Sequence, residues 1–197
     1  MSCCFIKEYS NFLDKEKLKE IKNHCKEAST PASIVGPVPI DTKVRNVLVA
    51  STTDKDYSFS NIYASLLWSK TKEYLESIKN LPCLTDNFFE SIFRIEPISY
   101  LKYKPGYFYK THSDEAFLFP AQPDFFRELS YVFFVNEDFS GGALHFPNQN
   151  KVIKPRENTL IIFPSNWCFP HEVLPVTRGV RHTAVTWGGR IIQNYSC

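Results

Sequence analysis

The sequence lacks a long apolar run, a strong net charge and any paired C-x-x-C cysteine motif. A transmembrane helix needs about 20 consecutive apolar residues, and no stretch here reaches that length. Lys and Arg number 23 and Asp and Glu 21, which leaves a formal net charge of +2. Because this charge is too small to indicate a nucleic-acid or acidic-membrane partner, we expect neither.

The cysteines favour neither a zinc site nor a disulfide framework. Six are present, but none has zinc-type spacing and no apolar leader precedes them. The chain is also longer than the small domains that disulfides usually stabilise. We therefore expect mostly reduced thiols and a cytoplasmic protein.

The composition is that of an ordinary globular protein, with 43% hydrophobic and 22% charged residues over 197 positions. This length predicts a single domain, 1–197. Helical periodicity dominates the first part, and short runs of aromatic and β-branched residues dominate the second. We divide the domain into a helical support region, residues 1–90, and a β-rich core, residues 91–190.

Two amphipathic helices are expected in the support region. Asp14 is the predicted N-cap of the first, because its carboxylate can accept from free amides of the first turn. Apolar residues then recur at helical spacing at Leu18, Ile21 and Cys25. The second helix is expected after a Ser58/Ser60 cap, with an apolar stripe of Tyr63, Leu66, Leu67, Tyr74, Leu75 and Ile78. Both stripes are interpreted as surfaces that pack against a sheet.

Short strands separated by Gly and Pro turns fill the core region. The predicted strands are Ser91–Tyr103 (broken at Pro97), Gly106–His112, Leu129–Val135, Ala143–Phe146, Lys151–Ile153, Thr159–Phe163, His171–Leu174 and His182–Trp187. Asn136–Gly142 is expected to be a glycine-ended hairpin connection. This pattern predicts a β-sandwich or a barrel.

His112 and Asp114 form an H-x-D motif at the end of a predicted strand. Side chains at i and i+2 share one face of a strand, so both can point at one metal ion. His171, on a later predicted strand, can supply a third ligand. Two imidazoles and one carboxylate on one face of an iron(II) ion are the ligand set of non-haem oxygenases.

Arg181 follows His171 on the next predicted strand, among apolar neighbours. A guanidinium at a fixed distance from iron suits bidentate capture of the far end of a dicarboxylate. The alternative, a surface salt bridge, is less consistent with this apolar strand.

Three blocks of the sequence resemble the prolyl 4-hydroxylase-like branch of the 2-oxoglutarate- and Fe(II)-dependent dioxygenase superfamily. The blocks are Tyr103-x-x-Gly106-x-Phe108-x-x-x-His112-x-Asp114, Gly141-Gly142, and His171-Glu172-Val173-x-Pro175-Val176-x-x-Gly179-x-Arg181. The resemblance implies a mainly β fold with N-terminal helices and a double-stranded β-helix core of the jelly-roll or cupin-like type. It also implies that His112, Asp114 and His171 bind Fe(II).

The same resemblance implies the cosubstrates and the reaction. Arg181 is expected to bind the 5-carboxylate of 2-oxoglutarate, whose other end chelates the iron. O2 is the second cosubstrate, succinate and CO2 are coproducts, and ascorbate is a candidate reductant. The oxidising power belongs to the iron and its cosubstrates, while the protein places the reacting atoms.

Four further residues are candidates for the 2-oxoglutarate pocket. Tyr103 matches a tyrosine that lines this pocket in the family, and a structural tyrosine of the barrel is the alternative. Where some relatives present a tyrosine to the 5-carboxylate, this sequence has Phe133 and Phe134, which carry no hydroxyl. The candidate helpers of Arg181 are therefore Ser130, Tyr131 and Thr183.

Other features keep alternatives open. His145 is a candidate ligand for a cupin-like site, Trp167 is a candidate for the substrate entrance, and His182 is expected to face away from Arg181. Residues 115–126, with four Phe and two Pro, are either a packed loop or a lid over the iron. Residues 29–56 are a candidate second flap.

Three functions are compatible with these residues. We favour hydroxylation of prolyl residues in a peptide or protein. The same chemistry on a free amino acid or another small molecule is the second, and a non-catalytic β-barrel binding protein is the third.

Overall fold

A computed structural model describes residues 5–32, 41–51, 57–78, 93–115 and 125–191. Within these ranges the chain forms two α-helices, α1 (Lys15–Glu27) and α2 (Tyr57–Ile78), and fifteen β-strands. The strands are β1 (Lys7–Ser10), β2 (Thr30–Pro31), β3 (Arg45–Asn46), β4 (Leu48–Ser51), β5 (Phe93–Ile95), β6 (Ser99–Tyr103), β7 (Phe108–His112), β8 (Phe125–Phe134), β9 (Ser140–Gly141), β10 (Leu144–Phe146), β11 (Lys151–Ile153), β12 (Thr159–Pro164), β13 (His171–Val173), β14 (Val176–Arg178) and β15 (Arg181–Ile191).

Two antiparallel sheets form the body of the described chain. The larger has eight strands in the order β1-β12-β8-β15-β6-β4-β2, with β5 also paired to β15. The smaller has five strands in the order β11-β10-β13-β7-β3, and β9 pairs with β14 separately. Buried residues of both sheets share one core, which includes Val132, Phe134 and Phe163 of the larger sheet and Leu144, Phe146 and Val173 of the smaller. This mainly β, jelly-roll architecture confirms the predicted fold class.

Strand β8 separates two hydrophobic cores because its side chains alternate between its two faces. Val132 and Phe134 lie in the core between the sheets. Tyr131 and Phe133 point the other way and pack against the two helices. The helices therefore cover the outer face of the larger sheet, as the apolar stripes predicted.

The start of α1 agrees with the sequence, but the start of α2 does not. Asp14 has extended backbone geometry, and its carboxylate accepts from the Lys17 amide at 2.9 Å, which confirms the predicted N-cap. Helix α2 is described from Tyr57, so Ser58 and Ser60 lie within the helix and not before it.

Residues 1–90 contribute more than helical support. Four strands from this region join the two sheets: β1 pairs with β12, β3 with β7, β4 with β6, and β2 with β4. The idea of a flap over residues 29–56 is wrong for residues 41–51, because most of that segment is hydrogen-bonded as β3 and β4. The remainder of that candidate flap lies largely outside the described residues.

Two more boundaries differ from the prediction in the β-rich core. The hairpin connection at Asn136–Gly142 contains β9, which pairs with β14, and two- or three-residue strands have too little periodicity to be recognised. Strand β8 begins at Phe125, so the end of the candidate lid at residues 115–126 is strand. Residues 116–124 of that candidate lid lie outside the described part of the chain.

Two of the six cysteines fall within the described residues, and both are free: Cys25 is buried and Cys168 is exposed. No helix in the described part of the chain combines the length and the apolarity needed to cross a bilayer.

Candidate active site

The two histidines of the motif are brought together by antiparallel pairing of β7 with β13. His112 and His171 are directly opposite each other in this register, and their ring centroids are 4.4 Å apart. Directly opposed residues are the closest cross-strand neighbours in a sheet. Asp114 lies just past the end of β7, two residues from His112, and completes the cluster.

The three side chains offer their ligand atoms to one point. One ligand atom from each of His112, Asp114 and His171 can be chosen so that all lie within 4.8 Å of one another. His112 Nε2 is 3.6 Å from Asp114 Oδ1, and His171 Nε2 is 3.4 Å from Asp114 Oδ2. Two imidazoles and a carboxylate grouped in this way match the facial ligand set of non-haem iron sites.

Both imidazoles are oriented by the backbone. His112 Nδ1 is 2.8 Å from the carbonyl oxygen of Lys110, and His171 Nδ1 is 3.2 Å from that of Phe169. A carbonyl can only accept, so each Nδ1 carries the proton and each Nε2 keeps its lone pair for a metal.

Asp114 is held by polar side chains from the larger sheet. Ser130 Oγ donates to Asp114 Oδ2 at 2.7 Å, and Ser130 Oγ is also 2.8 Å from Ser165 Oγ. The Trp187 side chain donates a further hydrogen bond to the carboxylate. These contacts fix the carboxylate orientation in the way that outer partners of metal ligands usually do.

The pKa values of two ligands favour the protonation states that a metal requires. Burial is the main influence on His112 and, with the nearby His171, lowers its pKa to about 3. Burial raises the pKa of Asp114, but the two imidazoles and the bonds from Ser130 and Trp187 outweigh it and lower the pKa to about 2. Near neutral pH, His112 is therefore neutral and Asp114 is ionised, and neither needs to lose a proton on metal binding.

Arg181 lies in the same cavity as the triad, and its charge is not fully compensated by the described residues. The side chain is buried, and its Nε and Nη1 atoms have no hydrogen-bond partner there. Its guanidinium carbon lies 4.7 Å from the ring centroid of Tyr103 and 5.4 Å from that of Phe134. Burial lowers the pKa of Arg181, whereas Tyr103, which also hydrogen-bonds to it, raises that pKa. A buried cation with free donors is costly unless an anion binds it, so this site fits a carboxylate.

The cavity runs along the inward face of β15. Its volume is about 260 Å³, and its lining includes Arg181, Thr183, Val185 and Trp187 in strand order, together with the three ligand residues. The Thr183 hydroxyl is fully buried and has no partner among the described residues. An unsatisfied hydroxyl beside an unsatisfied guanidinium suits a second contact to the same anion.

The structure corrects two of the candidate helpers of Arg181. Ser130 bonds to Asp114, so it serves the metal ligand and not the guanidinium. The Tyr131 hydroxyl lies 2.6 Å from that of Thr71 in α2, on the opposite face of β8. Of the three helpers, only Thr183 has an unsatisfied group in the right place.

His145 does not join the cluster. Its Nδ1 is 2.7 Å from Glu172 Oε1, its cross-strand partner, and Thr111 Oγ1 donates to the same carboxylate at 3.1 Å. His182 carries its ring on the face of β15 opposite to Arg181, as expected from alternation. Trp167 lies between β12 and β13 and is 72% exposed, and its role at the substrate entrance stays a prediction.

Sequence reasoning missed a second group of residues in the cavity. Arg127 Nε and Nη2 donate to the two oxygens of Glu96 at 2.5 and 2.7 Å, and its guanidinium stacks 3.8 Å from the ring centroid of Trp187. Arg45 stacks on Tyr109 at 4.7 Å and also lines the cavity. No local motif indicates this group, because its residues come from five different segments of the chain.

Gly142, the residue directly after β9, permits the close approach of its backbone to Arg181. A Cβ at this position would lie 2.9 Å from Arg181 Cδ, and its φ of +62° is unfavourable for other residues. Gly106 has a φ of +83°, but a Cβ there would meet nothing within 4 Å. We expect Gly142→Ala and Gly106→Ala each to cost about 1–2 kcal/mol of stability through backbone strain.

Only Gly142→Ala is expected to weaken binding of a dicarboxylate, because only there does the new methyl group displace Arg181. Thermal melting and titration with 2-oxoglutarate in the presence of metal would measure the two effects separately. Equal weakening by Gly106→Ala would show that strain, and not displacement of Arg181, is responsible.

Comparison with known proteins agrees with this geometry. Residues 98–189 match the model of the 2OG-Fe(II) oxygenase superfamily. A PKHD-type hydroxylase of Synechococcus sp. (strain JA-2-3B'a(2-13)) is 31% identical over 96 residues, which are 47% of this chain and 42% of that protein. The match thus covers less than half the length of this curated relative.

Solved structures share the fold over nearly the whole chain. The 2OG complex of a viral collagen prolyl hydroxylase from Paramecium Bursaria Chlorella virus-1 has a TM-score of 0.68 and 21% identity, and the match covers 95% of this chain and 97% of that one. A prolyl hydroxylase in complex with a hypoxia inducible factor oxygen degradation domain peptide fragment, from Trichoplax adhaerens, has a TM-score of 0.67 and 19% identity, with 94% and 83% covered. Residues 98–189 therefore resemble the 2OG-Fe(II) oxygenase superfamily, and the chain has the fold of these prolyl hydroxylase structures.

Proposed function

We propose that the protein is an Fe(II)- and 2-oxoglutarate-dependent dioxygenase that hydroxylates prolyl residues in a peptide or protein, with succinate and CO2 as coproducts. One observation carries the proposal: buried Arg181, with two unsatisfied donor atoms, shares a cavity with a His-Asp-His cluster. A metal-binding protein without an anionic cosubstrate has no use for this costly cation.

The residues present fit iron and 2-oxoglutarate. His112 and His171 would hold Fe(II) through Nε2, and Asp114 through its carboxylate. Arg181 would donate to the far carboxylate of the cosubstrate, and Thr183 is placed to donate beside it. Iron, 2-oxoglutarate and O2 supply the oxidising chemistry, and the chain positions them.

The remaining wall of the cavity excludes water from the reacting groups. Leu101, Val132, Leu144, Val173 and Val185 line it and are buried or half-buried. A dry cavity strengthens the contacts of Arg181 with a carboxylate and protects a reactive oxidant from side reactions.

A peptide substrate is favoured by the size and chemistry of the cavity. About 260 Å³ lies at the small end for ligand sites, so a cosubstrate and one side chain would occupy most of it. Tyr109 and Trp187 line the cavity with aromatic side chains, which suits an apolar pyrrolidine ring. The proteins of similar fold named above, which include a collagen prolyl hydroxylase and one bound to a peptide, support the same substrate class.

Mass spectrometry of a proline-containing peptide library would test the proposal. We expect addition of one oxygen atom to proline, dependent on Fe(II) and 2-oxoglutarate, with ascorbate as reductant. The matched control is the same peptide with alanine in place of the modified proline. Turnover of free amino acids or other metabolites without any peptide product would favour the small-molecule alternative, and binding without turnover would favour a non-catalytic protein.

A further inference from the structure

Asn136 lies just beyond the end of β8 and faces the first residues of β15. Its side chain is 7% exposed. Nδ2 donates to the carbonyl oxygen of Val180 at 2.9 Å, and Oδ1 accepts from the backbone amide of His182 at 2.8 Å. These are the two residues on either side of Arg181, so one carboxamide holds the backbone both before and after the buried guanidinium.

The orientation of this carboxamide follows from its partners. A backbone amide can only donate and a carbonyl can only accept, so the oxygen must face His182 and the nitrogen must face Val180. The second proton of Nδ2 goes to the carboxylate of Asp138. With all three hydrogen bonds formed, the side chain has a single arrangement.

The Asn136 side chain lies where the backbone pairing of β8 with β15 ends. Paired residues of β8 and β15 begin at Phe134 and Thr183, and the last backbone bond runs from the Val135 amide to the His182 carbonyl at 3.2 Å. Arg181 lies beyond that bond. On this side of β15, the Asn136 side chain therefore supplies the hydrogen bonds that a longer β8 would have made.

The direction in which the Arg181 guanidinium points depends on the conformation of the Arg181 backbone, because neighbouring residues leave the side chain little room to adjust. Its Cδ lies close to where a Cβ on Gly142 would be, and its guanidinium stacks on Tyr103. If the peptide plane before or after Arg181 rotated, the guanidinium would be displaced more than the rest of the side chain. A small misplacement of a charge-assisted hydrogen bond weakens it markedly.

We propose that Asn136 is a positioning residue that directs Arg181 toward the far carboxylate of a 2-oxo diacid. The inference rests on the proposed function, since it assigns Arg181 to that carboxylate. Asn136 itself does not line the cavity and acts through Arg181 alone.

Comparison of two 2-oxo acids tests the proposal. The Fe(II)-loaded protein is titrated under argon with 2-oxoglutarate or with pyruvate, and binding is followed by the visible charge-transfer band. Pyruvate presents the same 1-carboxylate and 2-keto oxygen but has no far carboxylate. We expect Asn136→Ala to weaken 2-oxoglutarate binding about tenfold, within the usual range of coupling between contacting residues, and to leave pyruvate binding unchanged.

Asn158 offers a matched control within the same chain. Its carboxamide also bridges backbone, accepting from the Leu13 amide at 2.9 Å and donating to the Leu13 carbonyl at 2.8 Å, but it does not line the cavity. Its φ is +59°, so glycine is the suitable replacement. Asn158→Gly is expected to lower Tm without changing the binding of either acid.

The double variant Asn136→Ala/Arg181→Ala separates positioning from general damage. If Asn136 acts through Arg181, adding Asn136→Ala to Arg181→Ala should not weaken 2-oxoglutarate binding further. Asn136→Gln keeps the carboxamide but shifts it by one methylene group, so a smaller loss of the same selectivity is expected. If Asn136→Ala does not fold, the same titrations are made with Asn136→Gln.

Several results would overturn the inference. Equal weakening of both acids by Asn136→Ala, an additive double variant, or unchanged 2-oxoglutarate binding would each exclude a positioning role. Failure of the proposed function is recognised separately, because the wild-type protein would then show no 2-oxoglutarate-dependent band at all, and the role of Asn136 would fall with it.

Discussion

Replacement of His171 by alanine is expected to abolish Fe(II) binding and turnover. The cluster has three ligand residues, and His171 is 4% exposed with its Nε2 aimed at Asp114. Loss of an outer partner alone commonly costs 10–100-fold in metal affinity, so we expect loss of a ligand to exceed about 100-fold. Anaerobic titration with Fe(II), followed by the charge-transfer band with 2-oxoglutarate, measures the effect.

His145 supplies the control, because it is a second imidazole on the smaller sheet. It is bonded to Glu172 on the surface side of β10 and lies outside the cluster. We expect His145→Ala to leave Fe(II) affinity unchanged. A loss of iron in His145→Ala with retention in His171→Ala would reverse the ligand assignment in favour of the cupin-like alternative.

The fold was predictable from the sequence because its signals are local. The Asp14 cap and the stripe of Leu18, Ile21 and Cys25 can be recognised within about three turns of helix, and the structure has them as expected. Short aromatic runs bounded by glycine and proline likewise predicted the strands of the core. What these signals could not show is which strands pair, because pairing is decided by contacts distant in sequence.

In the candidate site, too, the local arrangement was predictable from the sequence, whereas the contacts between distant segments were not. His112 and Asp114 could be placed on one face from their spacing, whereas the direct opposition of His112 and His171 depends on a register that no local pattern encodes. Asn136 was equally hidden, since its partners are backbone groups of Val180 and His182 and carry no side-chain signature.

One error was avoidable. Ser130 and Tyr131 are adjacent on a strand, and adjacent side chains on a strand point to opposite faces. Their two hydroxyl groups could not therefore lie on the same face of the sheet. The structure places Ser130 inside, against Asp114, and the Tyr131 hydroxyl outside, against Thr71.

Replacement of Arg181 by methionine is expected to abolish 2-oxoglutarate binding while stabilising the metal-free and cosubstrate-free protein. Methionine fills a similar volume but carries no charge. Hydrogen bonds to charged groups contribute about 1.5–3 kcal/mol each, so removing two of them should weaken 2-oxoglutarate by at least about 100-fold. Fe(II) binding alone should remain, since no ligand residue changes.

The stability gain follows from the unsatisfied state of the guanidinium. Arg181 is 1% exposed, and two of its donors lack partners in the described structure, so its burial is costly when no anion is bound. Replacing buried ionic groups with apolar residues of similar volume is often stabilising by about 1–4 kcal/mol. Stacking on Tyr103 offsets part of this cost, and we therefore expect a rise in Tm of a few degrees.

Adding Fe(II) and 2-oxoglutarate should give the wild-type protein a higher Tm than Arg181→Met, which reverses the order expected without ligands. With Fe(II) and saturating 2-oxoglutarate, the wild-type protein gains the free energy of binding, whereas Arg181→Met does not. Differential scanning fluorimetry with and without both ligands measures the crossover.

The control is Arg190→Met on the same strand. The Arg190 guanidinium bonds to Glu128, and its side chain is 34% exposed. This variant should show neither the higher Tm without ligand nor the loss of 2-oxoglutarate binding. A lower Tm for Arg181→Met without ligand would mean that stacking on Tyr103 outweighs the cost of burial, and unchanged 2-oxoglutarate affinity would remove Arg181 from the site. A buried cation whose cost is fully compensated only when its cosubstrate is bound is the arrangement expected where stability has been exchanged for function.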